Sequence, residues 1–300
     1  MKSVYSAIPT PFFDGKIDFF SLQKLIEFQI KNGIEGFVVS GSTGEGHSLT
    51  KEEYIDLINF CSAYSRKLNK NVDIVAGIGC NILNNAVEYV NICNSLDIDY
   101  ILATTPYYNK PQQDGIYRYF EQISYLSKKD IILYNVPSRT ATDMSNDTIV
   151  KLAKNCSNIV ALKDASGIIG RVIDLKFKLF QNNVDDFSIL SGEDALQIAF
   201  NAVGGSGVIS VVSNIAPQLC CEIQNLTKSN KFIEANNLQN QLLELSNAMF
   251  CETNPVPVKY ALKKYCIFKS DEVRLPLIEL NSKSREYIDG IIEKYLCKSN

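Results

Sequence analysis

The sequence predicts a (β/α)8 barrel, an α/β fold of the TIM-barrel class, with a small C-terminal helical extension. Eight short apolar runs with strand character recur about every 30 residues, which is the length of a strand–helix–strand unit. Segments with helical periodicity separate these runs. Such strict alternation favours a closed barrel, although a doubly wound open sheet is also compatible with the pattern. A chain of 300 residues can form a barrel of this kind as one domain.

The individual elements follow from periodicity and capping signals. Helical spacing is clear in Leu22, Leu25 and Ile26, and Thr50 with Glu53 forms the capping-box pattern that begins a helix. Beyond residue 213 the strand signal stops, so we expect a catalytic barrel domain over residues 1–229 and a helical extension over residues 230–300. The predicted strands are residues 4–8, 36–40, 73–76, 100–103, 131–134, 159–162, 187–190 and 207–210. The predicted late helices are residues 215–228, 232–249, 256–266 and 284–296.

Composition excludes several classes of function. A net charge of −3 supplies no basic field for nucleic acid. No secretory signal or membrane-spanning stretch is visible. The nine cysteines are scattered without a Cys-x-x-Cys pattern, which is typical of reduced thiols in a cytoplasmic protein. His47 is the only histidine, so we expect no multi-histidine metal site, and an enzyme here must use lysine, tyrosine, hydroxyls and carboxylates.

Lys163 directly follows the apolar run of residues 159–162, where we expect the strand to leave the core. Residues 164–167 then supply a turn. A lysine amine that is partly stripped of water is a usable nucleophile, and it can form an imine with a carbonyl substrate. The alternative is an ordinary lysine that runs from a strand end into solvent.

Other polar groups follow the predicted strands, and in a barrel the carboxyl ends of the strands carry the catalytic residues. Gly41-Ser-Thr-Gly-Glu-Gly46 matches neither the dinucleotide nor the P-loop pattern, and it is either a nest for a carboxylate or a simple turn. Arg139 offers a guanidinium fork for a carboxylate, unless it is a surface arginine. Tyr134 can move protons beside a lysine imine, unless it is a core tyrosine.

Several motifs together carry a resemblance to a known family. In order from about Val4 to Leu277 they resemble the dihydrodipicolinate synthase / N-acetylneuraminate lyase family, and this order makes the resemblance specific. The motifs are Gly41-Ser-Thr-Gly-Glu45, Thr105-Pro-Tyr-Tyr-Asn109, Tyr134-Asn-Val-Pro-Ser-Arg-Thr140, Leu162-Lys163-Asp-Ala-Ser-Gly167, Ser191-Gly-Glu-Asp194, Gly204-Gly-Ser-Gly-Val-Ile-Ser210 and Glu252-Thr-Asn-Pro-Val-Pro-Val-Lys259.

The resemblance implies a barrel with a pyruvate Schiff base on Lys163 and no cofactor, because the imine is itself the electron sink. It implies a proton relay of Tyr134, Ser42 and Tyr108, in which Tyr108 reaches into the neighbouring subunit of a dimer. Synthases of the family usually have threonine at position 42, whereas serine is common on the lyase side, so this relay is the weaker part of the resemblance. A homotetramer, arranged as a dimer of dimers, is the implied assembly.

The resemblance also implies the substrates. Thr43 would hold the pyruvate carboxylate, Gly192 and Ile209 would line the pocket, and Arg139 would bind the carboxylate of a semialdehyde, a feature similar to the synthases of the family. The expected reaction joins pyruvate to L-aspartate 4-semialdehyde and gives 4-hydroxy-tetrahydrodipicolinate, in lysine and diaminopimelate biosynthesis. The alternatives are another pyruvate-dependent aldolase, such as an N-acetylneuraminate lyase, and a non-catalytic sensor of small acids.

A feedback site for L-lysine is the last feature that the resemblance implies. Its positions are Asn81, Asn85, Tyr107, His47 and Lys51. Lysine-sensitive members have a glutamate where this chain has Asn85, and we expect Lys51 to add repulsion toward a ligand with two ammonium groups. The sequence therefore predicts weak inhibition by lysine, unless Glu45 or Glu52 supplies the missing carboxylate.

Overall fold

A closed barrel of eight parallel strands forms the centre of the computed structural model, which describes residues 1–296. Each strand pairs with the next one along the chain, and the last strand closes the barrel on the first, with Val4 opposite Val208 and Ser6 opposite Ser210. The predicted fold class is confirmed. The barrel strands are β1 Val4–Ala7, β2 Gly36–Val39, β3 Asp73–Ile78, β4 Tyr100–Thr104, β5 Asp130–Asn135, β6 Ile159–Asp164, β7 Ser188–Ser191 and β8 Gly207–Ser210.

Helices surround the barrel and continue beyond it. They are α1 Phe19–Lys31, α2 Lys51–Leu68, α3 Leu83–Ser95, α4 Gln113–Leu126, the short α5 Pro137–Thr140, α6 Asn146–Asn155, α7 Ile169–Gln181, α8 Gln197–Ala202, α9 Pro217–Lys228, α10 Phe232–Met249, α11 Val256–Lys264 and α12 Ser282–Leu296. A two-stranded hairpin, Phe12–Phe13 with Lys16–Ile17, follows β1. The late helices occur where the sequence predicts them.

Local signals in the sequence explain where these elements begin. The barrel strands are covered on both faces, which is why they read as nearly continuous apolar runs. The α2 capping box is present as predicted. The Thr50 hydroxyl accepts from the Glu53 N–H at 3.2 Å, and the Glu53 carboxylate accepts from the Thr50 N–H at 3.0 Å. This reciprocal pair satisfies two backbone donors that a helix start leaves open.

The helices after the barrel share its hydrophobic core. Leu242 of α10, Val258 of α11 and Ile288 of α12 are fully buried and belong to the same cluster as the barrel strands. The division into a barrel and an extension at residue 229 therefore stays a prediction, and residues 297–300 of that extension lie outside the described part of the chain. Between residues 1 and 296, no helix is both long and apolar enough to cross a bilayer.

Candidate active site at the mouth of the barrel

Lys163 lies within β6 and not in the loop after it. The strand continues two residues beyond the predicted run, because Lys163 and Asp164 pair with Tyr134 and Asn135 of β5 on one side. On the other side they pair with β7. The expectation that the strand ends at residue 162 is therefore wrong. The side chain of Lys163 is only 7% exposed, so the alternative of a lysine that runs into solvent is excluded.

Tyr134 is the immediate neighbour of this lysine. The two residues are direct partners in the β5–β6 register, so their side chains leave adjacent strands side by side. The Lys163 Nζ lies 4.3 Å from the centre of the Tyr134 ring, and Tyr134 is 6% exposed. A buried amine beside a phenol at the carboxyl end of parallel barrel strands is a suitable arrangement for chemistry that needs a nucleophile and a proton carrier.

A cavity of about 560 Å³ opens beside Tyr134. Among the predicted catalytic and substrate-binding residues, Ser42, Tyr134 and Arg139 line it. Tyr108 does not line it, is 86% exposed and has a φ of 74°, a strained value for an aromatic residue. Within one chain, the structure thus brings together two members of the predicted proton relay and leaves Tyr108 at the surface.

The glycine loop after β2 is closed on itself and buried around Thr43. The Gly46 N–H donates to the Gly41 carbonyl at 3.2 Å, and Thr43 is 4% exposed. A Cβ at Gly46 would stand 2.1 Å from the Ser40 carbonyl oxygen, so only glycine fits there. The Thr43 hydroxyl accepts a hydrogen bond from the Asn254 side chain at 2.9 Å, which leaves its own proton free for a carboxylate.

Gly192 follows β7 and Ile209 belongs to β8, and neither residue lines the cavity beside Tyr134, so their place in the pocket stays a prediction. The Gly192 N–H donates to the Asp164 carbonyl at 2.7 Å, directly beyond Lys163 in the strand. A Cβ at Gly192 would stand 2.6 Å from the Ala165 Cβ, so this position also requires glycine. Ile209 is 1% exposed and pairs with Tyr5 across the β8–β1 closure.

Two carboxyl groups after β7 add negative charge near Lys163. Burial raises the pKa of Glu193, and Lys163 and Arg139 oppose this shift. Burial also raises the pKa of Asp194, which accepts from the Ser210 hydroxyl and the Val211 N–H. Lys163 opposes the rise in the pKa of Asp194 as well, so both carboxyl groups lie close enough to interact with its charge.

Sequence reasoning missed two residues that hold this site together. Asn254 donates to Thr43, and its backbone carbonyl accepts from the Arg139 guanidinium at 3.4 Å. Lys259 forms a fully buried ion pair with Glu45 at 2.5 Å. Both residues belong to the Glu252–Lys259 motif, which carries part of the family resemblance without a predicted role of its own. That position in a family motif is the signal that could have found them.

The predicted lysine site adjoins the same cavity. Asn85, Tyr107 and His47 line it, and the Asn81 carbonyl accepts from the Asn109 side chain at 2.7 Å. Lys51 is bound to the carboxylate of Glu88. The expected repulsion from Lys51 stays a prediction, and the acidic neighbour Glu88 makes it weaker than Lys51 alone would give.

Glu45 is excluded as the missing carboxylate of the lysine site, since it is fully buried and paired with Lys259.

Among residues 1–296, no group of three or more histidine, cysteine, aspartate or glutamate side chains is placed to hold a metal ion.

Fold and site together define the class of protein: a parallel barrel whose site is built around a buried lysine and a neighbouring tyrosine. Comparisons with known proteins point to one family of this class. The chain matches the model of the "Dihydrodipicolinate synthetase family" over residues 1–295. A relative named 4-hydroxy-tetrahydrodipicolinate synthase, from Sulfurihydrogenibium, is 39% identical over 96% of both chains.

Solved structures give the same result. A chloride-inhibited dihydrodipicolinate synthase from Acinetobacter baumannii, complexed with pyruvate, superposes with a TM-score of 0.91 at 37% identity over 97% of both chains. A dihydrodipicolinate synthase from Cyanidioschyzon merolae, with lysine bound, superposes with a TM-score of 0.90 at 30% identity over 97% of both chains. The chain belongs to the dihydrodipicolinate synthetase family. The predicted family is confirmed, and the relatives favour the synthase over the sialic acid lyase alternative.

Proposed function

We propose that this protein is a lyase that condenses pyruvate with L-aspartate 4-semialdehyde to give 4-hydroxy-tetrahydrodipicolinate, a step of lysine and diaminopimelate biosynthesis. One observation carries the proposal above the others: the buried Lys163 amine lies 4.3 Å from the Tyr134 ring, beside a cavity that Ser42 and Arg139 line. The names of the relatives support the same activity.

The first half of the reaction uses Lys163. Its Nζ attacks the ketone carbon of pyruvate and water leaves, so that a carbon–nitrogen double bond joins the substrate to the enzyme. Tyr134 carries protons to and from this centre. The rest of the relay is Ser42 of the same chain and Tyr108, which a neighbouring subunit supplies. Thr43 binds the pyruvate carboxylate through its hydroxyl, which the Asn254 side chain orients at 2.9 Å.

The second half joins the two substrates. Loss of a methyl proton gives an enamine, whose terminal carbon bonds to the aldehyde carbon of the semialdehyde. Arg139 binds the carboxylate of this second substrate, while Gly192 and Ile209 shape the wall of the pocket. The amino group of the semialdehyde then attacks the imine carbon, the ring closes and the amine of Lys163 leaves. No cofactor is required, because the iminium accepts the electron pair.

Covalent trapping tests the proposal. Pyruvate with borohydride should add the mass of reduced pyruvate to one peptide that contains Lys163, and the purified enzyme should form product from pyruvate and the semialdehyde. Lys259 serves as an internal control, because it is 0% exposed and paired with Glu45. An adduct on another lysine, or none, would contradict the proposal. Cleavage of N-acetylneuraminate without product formation would support the lyase alternative.

We also propose that the protein is a cytoplasmic homotetramer, a dimer of dimers. Tyr108 projects from the mouth at 86% exposure and suits one interface. Ile173, Phe177 and Phe180 form an exposed apolar face on α7, which suits a second contact between copies of the chain. The cysteines of the described residues are free, as in proteins of reducing compartments.

Light scattering coupled to gel filtration measures this assembly. Phe177→Glu with Phe180→Glu should convert the tetramer to a dimer, because two charges would lie in the apolar contact. Tyr125→Glu is the matched control, since Tyr125 is an exposed aromatic residue of α4, at 83% exposure. A tetramer that survives the double substitution would contradict the assignment of this face.

A further inference from the structure

Glu45 and Lys259 form a buried ion pair between the glycine loop and the helical extension. Glu45 follows Thr43 by two residues, has a left-handed φ of 49° and is 0% exposed. Lys259 lies on α11, is also 0% exposed, and donates to Glu45 at 2.5 Å. The Lys259 Nζ lies 4.2 Å from the centre of the buried Phe12 ring. Two charges thus meet in a place that no solvent reaches.

Stability alone does not explain such a pair. Two charges lose their hydration when they are buried, and replacement of a buried pair by apolar side chains of similar size is often neutral or stabilising. Burial lowers the pKa of Lys259 to about 8, and Glu45 opposes this shift, so the charged amine depends on its partner. An apolar pair of similar size could fill the same space, but it could not fix the direction of the contact between Glu45 and Lys259.

The surrounding contacts show what the pair directs. The second oxygen of Glu45 accepts from the Arg274 backbone N–H at 3.1 Å. The Arg274 guanidinium donates to the Ser48 carbonyl at 3.0 Å and forms a two-point ion pair with Glu53, with both distances 2.6 Å. Residues 254, 259 and 274 therefore hold the stretch from Thr43 to Glu53 from the outside.

We propose that Glu45 and Lys259 are positioning residues for pyruvate, which hold the glycine loop in the conformation that receives the pyruvate carboxylate on Thr43. This inference rests on the proposed function. Because Glu45 is joined to Thr43 through one glycine, a shift of its carboxylate is transmitted along a short, closed loop. The extension thereby sets pyruvate affinity from a place that does not touch the substrate.

A double substitution separates positioning from stability. Glu45→Met with Lys259→Met removes both charges and leaves no unpaired charge in the core, so the enzyme should fold with a Tm close to that of the wild type. The pyruvate concentration for half-maximal borohydride trapping of Lys163 should nevertheless rise about ten- to hundredfold, as expected when hydrogen bonds to a carboxylate are misaligned. The rate at saturating pyruvate should stay within about threefold of the wild type.

Two further variants keep the test decisive. Glu45→Gln keeps the shape of the side chain but removes the charge that balances Lys259, so it should weaken the contact that holds the loop and raise the half-saturating pyruvate concentration in the same direction. This variant serves as the test if the double variant fails to fold. Leu262→Ala removes a fully buried side chain of the same helix, and it should lower Tm without changing that concentration.

Three results would overturn the inference. They are an unchanged half-saturating concentration in the folded double variant, an unchanged concentration in Glu45→Gln, and an equal rise in Leu262→Ala. If the wild type itself traps no pyruvate on Lys163, the proposed function fails instead, and the two failures are thus distinguishable.

Discussion

A methyl group added at Gly192 should damage both the fold and the site. In Gly192→Ala the new Cβ would lie 2.6 Å from the Ala165 Cβ, whereas ordinary contact begins at 3.4 Å, so the two backbones must separate by about 0.8 Å. Overpacking of this kind costs about 1–3 kcal/mol of unfolding free energy. The displaced segment directly follows Lys163, and a shift approaching 1 Å at a reacting group lowers rates by up to about a hundredfold.

Urea unfolding and pyruvate trapping together measure this effect. Gly290→Ala is the matched control, because no atom lies within 4 Å of the added Cβ and the residue is inside α12. It should gain up to about 1 kcal/mol from helix propensity and leave trapping unchanged. Unaltered stability together with unaltered trapping in Gly192→Ala would refute the close approach of β6 and β7 at the mouth.

Three further substitutions address the proposed chemistry and regulation. Lys163→Ala should lose nearly all turnover and all borohydride adduct, while an adduct that persists would place the imine elsewhere. Arg139→Ala should keep pyruvate trapping but lower kcat/KM for the semialdehyde, with a loss of about 2–4 kcal/mol in transition-state stabilisation. Arg139→Lys should recover only part of this kcat/KM, because lysine lacks the planar fork. Equal damage to pyruvate trapping would show that Arg139 also holds the site together. L-lysine should inhibit the wild type weakly, and Asn85→Glu should tighten inhibition about tenfold or more where Asn85→Gln does not. Half-inhibition of the wild type at submillimolar lysine would show that another carboxylate, such as Glu52, serves the site.

Sequence alone was enough to predict the barrel and the place of Lys163 near the carboxyl end of a barrel strand. A parallel strand that is buried on both faces must be apolar along its length, and this requirement marks each strand locally. Each of the eight predicted runs overlaps a barrel strand. Capping is local as well, so Thr50 and Glu53 mark the start of α2 before any tertiary contact is known.

Tertiary structure decided the ends of the strands and the partners of the charges. Residues 163 and 164 belong to β6 only because neighbouring strands supply hydrogen bonds. Their side chains are polar, so the apolar pattern of the sequence ends at residue 162. Lys51 has the charge expected from its sequence, but Glu88, which lies 37 residues away, balances that charge.

The support of the glycine loop is the clearest case of a feature that only the folded chain could reveal. Glu45 and Lys259 are separated by 214 residues, and Thr43 and Asn254 by 211. Closure of the barrel and the docking of α11 bring these residues together. Periodicity reports which face of an element is buried, but it carries no information on which distant side chain will lie opposite a given residue.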